Sequence, residues 1–294
     1  MTLKPGITYI HEHTTIDLSG IKQSDDTNLN CMDETLTEFK KLYAKGVRNI
    51  VDVTVAGMCP NPLYVQEIAK QSGLNIIQAT GFYTERFMPP FVEKASIVQL
   101  ADFMVREIKD GIAGTEIKAQ IIGEIGSGKD GFTPNEKKVF EAAVLAHQET
   151  GVPITTHATL GSFGHEQVSF FKDRGVNLDR VIIGHVDLAG DTSYVMHMLK
   201  QGVYVGFDTI GKADYMLDSI RVDMLKSIEQ AGYINRVMLS MDITRKSNME
   251  HMGGIGYSFL LDTFVPLMLE GEIKEDSIEQ MLVTNPHIFF GDAV

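Results

Sequence analysis

Six residues of this 294-residue chain have the types and placement for metal chemistry: His11, His13, Glu124, His157, His185 and Asp242. Each falls at the end of a short apolar run rich in Val and Ile. In extended backbone, residues i and i+2 point to the same side, so His11 and His13 can project together onto one ion. Neutral imidazole is a good ligand for zinc and similar ions, and carboxylate oxygens bridge or complete such a shell. Four histidines and two carboxylates exceed what a single tetrahedral site uses. The economical reading is two divalent ions, Zn2+ foremost, with His11, His13 and Asp242 on one, His157 and His185 on the other, and Glu124 bridging. A hydroxide held between them would attack an electrophilic carbonyl or phosphoryl centre, with Asp242 as the catalytic proton acceptor. A lone His-x-His pair is weak support for any of this; the conjunction over five run ends carries the reading.

The elements that must position these residues follow from an alternation. Eight apolar runs, at 7–10, 49–54, 75–81, 119–125, 152–157, 180–186, 203–209 and 236–242, predict strands. Stretches with helical periodicity lie between them, at 33–45, 62–72, 96–110, 133–151, 164–175, 191–201, 216–231 and 257–270, with a last helix near 275–284. The clearest start is at Thr133, with Pro134 in the first helical position and Glu136 three residues after the cap. Repeated βα units demand a parallel sheet, and eight of them predict an α/β fold of the (β/α)8 TIM-barrel type, one domain over residues 1–294. The active site of such a barrel sits at the C-terminal ends of its strands, where all six residues are placed.

Around this mouth, Lys212, Arg245 and Lys246 follow the last two strands. Clustered cations in a chain of net charge −13 point to an anionic group on the substrate, gripped bidentately by arginine or by lysine as a point charge. The alternative is solvated loop charge or an ion pair with Asp208. The segment 243–257 is long enough to form a mobile lid or a plain surface loop. His147, His197 and His287 read as structural or solvent-exposed, and His165 and His251 as bland neighbours of the mouth.

The acidic balance gives no footprint for nucleic acid, and no run is long enough to span a membrane. Two cysteines, Cys31 and Cys59, read as reduced thiols, and the first residues lack the pattern of a signal peptide. The expectation is a cytoplasmic protein, monomer or homodimer, that works on a small-molecule substrate.

The motifs HEH (11–13), GEIG (123–126), TTHA (155–158), GHVD (184–187), FDTIGK (207–212) and LSMDITRK (239–246), in that order, resemble the phosphotriesterase family of the amidohydrolase superfamily. The resemblance covers nearly the whole chain and implies a binuclear zinc centre in a barrel. Many members bridge their metals with a carbamylated lysine on the fourth strand. Here Glu124 stands in that place, as in one bacterial subgroup, and Lys118 lies before the strand, at its wrong end. Tyr83 occupies a position resembling one where lactonase relatives set a tyrosine beside the metals. The chain has no tryptophan, and efficient phosphotriesterases lean on an aromatic pocket. The resemblance therefore implies hydrolysis of a small anionic lactone or carboxylic ester. A phosphoester hydrolase, a TatD-type metal-dependent nuclease and a non-catalytic metal-binding protein stand as alternatives.

Overall fold

A computed structural model describes residues 3–291. Eight parallel strands run in sequence order around the sheet: β1 (Ile7–Glu12), β2 (Val47–Asp52), β3 (Asn75–Thr80), β4 (Ile121–Ser127), β5 (Ile154–Ala158), β6 (Val181–Gly184), β7 (Tyr204–Phe207) and β8 (Val237–Leu239). Helices α1 (Met32–Ala44), α2 (Pro62–Ser72), α3 (Ile97–Lys109), α4 (Pro134–Thr150), α5 (Gly164–Asp173), α6 (Thr192–Gln201) and α7 (Asp218–Gln230) return the chain from one strand to the next. This is the (β/α)8 barrel. The strands are buried on both faces, which is why they read as unbroken apolar runs instead of alternating ones.

Local chemistry sets the helix ends. Thr133 accepts from the Glu136 N–H while the Glu136 side chain accepts from the Thr133 N–H, a reciprocal capping box; Ser96 and Gln99 do the same for α3. Gly151 ends α4 at φ 71°, a left-handed turn that glycine adopts without penalty. The expected helix at 257–270 begins instead as a wide π turn, Leu260–Phe264, that runs into α8 (Val265–Glu270). Gln280–Thr284 is a second such turn, and each precedes a proline, Pro266 or Pro286, whose missing N–H breaks the regular ladder.

Among the described residues no ladder joins β1 to β8, and single hydrogen bonds complete the closure. His11 donates its N–H to Ser240 Oγ at 3.1 Å, and the Asp242 N–H reaches the His11 carbonyl at 3.2 Å. The last two strands are shorter than the sequence predicts: β7 stops at Phe207 and β8 at Leu239. Asp242 therefore lies past its strand, at φ 52°, and His185 past β6, at φ 61°. Both left-handed residues turn the chain out of the sheet at the mouth. Among the described residues, no helix is long and apolar enough to cross a membrane.

Candidate metal centre

The fold brings all six sequence-selected residues to one place. His11 and His13 project from the end of β1, Glu124 from the middle of β4, and His157 from β5, with His185 and Asp242 just beyond β6 and β8. Gly123 gives Glu124 its close approach to β5: at φ 107°, a Cβ there would collide with the Thr155 carbonyl.

Ligand atoms held about 2.0–2.1 Å from one tetrahedral ion stand about 3.3 Å from each other. The spacing here matches. His13 Nε2 lies 3.3 Å from Asp242 Oδ1 and 3.4 Å from Glu124 Oε1. His11 Nε2 lies 3.5 Å from Glu124 Oε2 and 3.7 Å from Asp242 Oδ1. On the other side, Glu124 Oε2 is 3.1 Å from His157 Nδ1 and 3.6 Å from His185 Nε2. His11, His13 and Asp242 could hold one ion, and His11, Glu124 and His185 present a second converging trio. Fully buried His11 makes no hydrogen bond from either ring nitrogen, which is costly unless another partner takes the lone pair. The donors present fit divalent metal.

Supporting groups fix the rings. Asp208 accepts from His185 Nδ1 at 2.6 Å and from the His185 N–H at 3.0 Å, leaving Nε2 facing Glu124. Thr54 Oγ1 stands 2.8 Å from His13 Nδ1. Such outer contacts select the ring tautomer and orient a ligand.

The electrostatics favour cations. Burial alone would raise the carboxyls of Glu124 and Asp208, but His11 beside the first and His185 beside the second hold both below their ordinary range. Asp242 is held low against the same burial penalty by Lys212 and then His13. Burial of His13 works in the opposite sense, yet Asp242 and Glu124 carry it up to about 10. Carboxylates and imidazoles here lean on one another for charge that divalent ions would supply directly.

A cavity of about 210 Å³ opens over these groups. Tyr83, Lys212 and Arg245 line it, as the sequence predicts, and the Tyr83 hydroxyl stands 3.2 Å from the His157 ring nitrogens. Lys212 pairs with Asp242, not with Asp208, and Arg245 is 3.3 Å from Asp26. Lys246 lies outside the cavity lining, 2.8 Å from Asp25, because successive residues of a loop need not share a face. Lys22, which the sequence reading missed, lines the same wall from a four-residue helical turn that carries no periodic signal. Ile16, Leu18, Met58, Leu160 and Leu188 supply an apolar side. His165 stacks on Tyr194 and packs on His197, apart from the cavity.

The segment 243–257 is tied down. Glu38 accepts from the N–H groups of Glu250 and Tyr257, and the Tyr257 hydroxyl donates to the His13 carbonyl at 2.7 Å. Two 3-10 turns, Lys246–Asn248 and Glu250–Met252, shape it as a fixed rim.

A second buried network holds the opposite rim. Arg221 of α7, with no exposed surface, binds Asp187 at 2.7 Å and Asp218 at 2.9 Å and donates to Thr209 Oγ1 and the Met216 carbonyl. It pins the loop that carries Lys212. Arg221→Met would leave Asp187 charged and buried without its partner, so a stability loss of about 3 kcal/mol is expected. Thermal melting checks it, with a drop in Tm of roughly 6 °C; a melt within a degree of wild type contradicts it.

Comparison with known proteins agrees with this geometry. The phosphotriesterase family model matches residues 2–290. The phosphotriesterase homology protein of Escherichia coli is 42% identical over 97% of this chain and 98% of its own length. A crystal structure of that protein, with phosphate in its active site, superposes with a TM-score of 0.96, covering 97% of this chain and 99% of that one. An N-acetyltaurine hydrolase of Dictyostelium discoideum is 30% identical over 90% of this chain and 75% of its own length. A lactonase from Listeria monocytogenes is 26% identical, with a TM-score of 0.92 over 98% of this chain and 95% of that one. The fold, the order of the motifs and the convergent donors have one explanation: the chain belongs to the phosphotriesterase family.

Proposed function

We propose that the protein is a two-metal hydrolase of small anionic acyl compounds, a lactone or carboxylic ester foremost. The observation that carries this is the donor cage: two metal-compatible trios, His11–His13–Asp242 and His11–Glu124–His185, with His157 3.1 Å from Glu124, under a small cavity walled by Lys22, Lys212 and Arg245. His11, His13 and Asp242 would hold one ion, His157 and His185 the other, and Glu124 would bridge. Divalent ions, most simply Zn2+, would supply there a water acidified to near neutrality and polarise the substrate oxygen.

The protein's own groups do the rest. Asp242 takes the proton of the attacking water and returns it to the leaving group, with Lys212 holding its carboxylate ionised. Tyr83 faces the acyl group from beside His157. Arg245 and Lys22 receive the anionic end, while Leu18, Met58 and Leu188 exclude water from the carbon skeleton. N-acetyltaurine hydrolases among the relatives act on an anionic acyl amide, which extends the class to be tested from esters to amides. The phosphate in the Escherichia coli site keeps phosphoesters in the same panel. The family match over 2–290 disfavours the TatD-type nuclease reading.

The test combines metal analysis of protein purified without chelators with a panel of anionic and neutral lactones, esters, amides and phosphoesters. About two equivalents per chain and turnover of anionic acyl members are expected. Two equivalents with no turnover of any member would favour a metal-binding protein without catalysis. For the best substrate, Arg245→Ala is expected to raise KM about tenfold with kcat within a factor of about two, as loss of ground-state binding does. A neutral analogue should be insensitive to that substitution; equal loss on both removes the anion role.

A further inference from the structure

Glu12 sits between His11 and His13, but alternation along β1 turns it away from the ion side. It is fully buried. Its oxygens accept three hydrogen bonds, all from the chain leaving β8. Ser240 Oγ and the Met241 N–H reach Oε1 at 2.7 Å each, and the Ile243 N–H reaches Oε2 at 3.1 Å. The residue skipped is Asp242, whose N–H goes to the His11 carbonyl at 3.2 Å. Every residue from Ser240 to Ile243 thus hangs on two consecutive residues of β1, with Asp242 at φ 52° in the middle. A non-glycine residue keeps such a conformation only where its neighbours over-determine it.

We infer that Glu12 is a positioning residue that sets the reach of the Asp242 carboxylate toward the ion shared with His11 and His13. The inference rests on the two-ion reading above. Because Glu12 touches the main chain on both sides of Asp242 and lies between the two histidines, a change there moves one ligand against the other two. The second ion, assigned above to His157 and His185, takes no ligand from residues 240–243. The residue also needs two accepting oxygens. Three donors converge on its two oxygens, whereas an amide offers one oxygen and turns an N–H₂ toward a donor.

The experiment is calorimetric titration of Zn2+ into chelator-stripped wild type, Glu12→Gln and Tyr9→Phe, with circular dichroism and Tm of each stripped protein. Tyr9→Phe is the control: it removes a buried hydrogen bond between β1 and the Tyr257 carbonyl without touching residues 240–243. Wild type and Tyr9→Phe should bind two equivalents alike. Glu12→Gln should keep one equivalent at wild-type affinity and bind the other at least about tenfold more weakly, with kcat falling and KM unchanged on any substrate found. Should Glu12→Gln fail to fold, Ser240→Ala, which removes one of the three donors, must weaken the same equivalent about threefold. Unchanged affinity for both ions in the folded variant overturns the inference, as does parallel loss of both that tracks an unfolded fraction. Fewer than two equivalents in wild type overturns the two-ion reading and this inference with it.

Discussion

Glu124→Ala is expected to cut the metal content of the purified protein from about two equivalents per chain to below one, and to reduce turnover by about 10³-fold or more. Among the described residues Glu124 is the one side chain within 3.6 Å of a nitrogen from each of the four histidines, so both ions of the proposed site would lose a ligand at once. In the proposed two-ion site a bridging carboxylate would also set the separation of the ions, which no single histidine can do. Removing it leaves four imidazoles, from three strands, without their common anion. Metal analysis and kcat on the same preparation check the prediction, with excess Zn2+ in a second assay. Two equivalents retained in the alanine variant would mean that Glu124 is not the bridge.

Asp242→Asn should act on the other axis. The amide keeps the size and one oxygen of the carboxylate, so more than half of the metal is expected to remain. Turnover should nonetheless fall by about 10²–10⁴-fold, the range of a lost general acid–base group. The amide cannot take the water's proton, and it no longer draws Lys212 as an ion partner. Wild-type turnover with full metal would assign proton transfer elsewhere; loss of turnover in proportion to lost metal would make Asp242 a ligand only.

The barrel was legible because its strands are buried on both faces and its helices carry caps: eight apolar runs, each followed by a helical period, admit few other folds. The convergence of His11, His13, Glu124, His157, His185 and Asp242 was legible for a related reason, since each sits at or near the end of such a run. Less visible was the manner of presentation. Nothing in RVIIGHV or RVMLSMD announces that the strand stops short and that His185 and Asp242 turn through left-handed backbone. Residues whose partners lie far off in sequence were hidden altogether. Arg221 looks like any charged helix residue until Asp187, on another loop, is brought beneath it. Glu12 looks like a spacer between two histidines. Lys246 was misplaced because loop residues, unlike strand residues, have no period from which to read direction.

The closure between residues 11–12 and 240–243 bears on how the protein is made. His11 and His13 belong to the first strand of the barrel and are made well before Asp242, which follows the eighth. An ion held by all three cannot be fully coordinated before the eighth strand has been made. Contacts of such high sequence separation form late in folding, after the local units have been made. Early-emerging histidines and the His157–His185 pair would meet metal as open, weak sites, and the completed cage arises only when the eighth unit docks on the first. Loading of that ion is then a report that the barrel has closed, and supply of metal matters most in the final moments of folding.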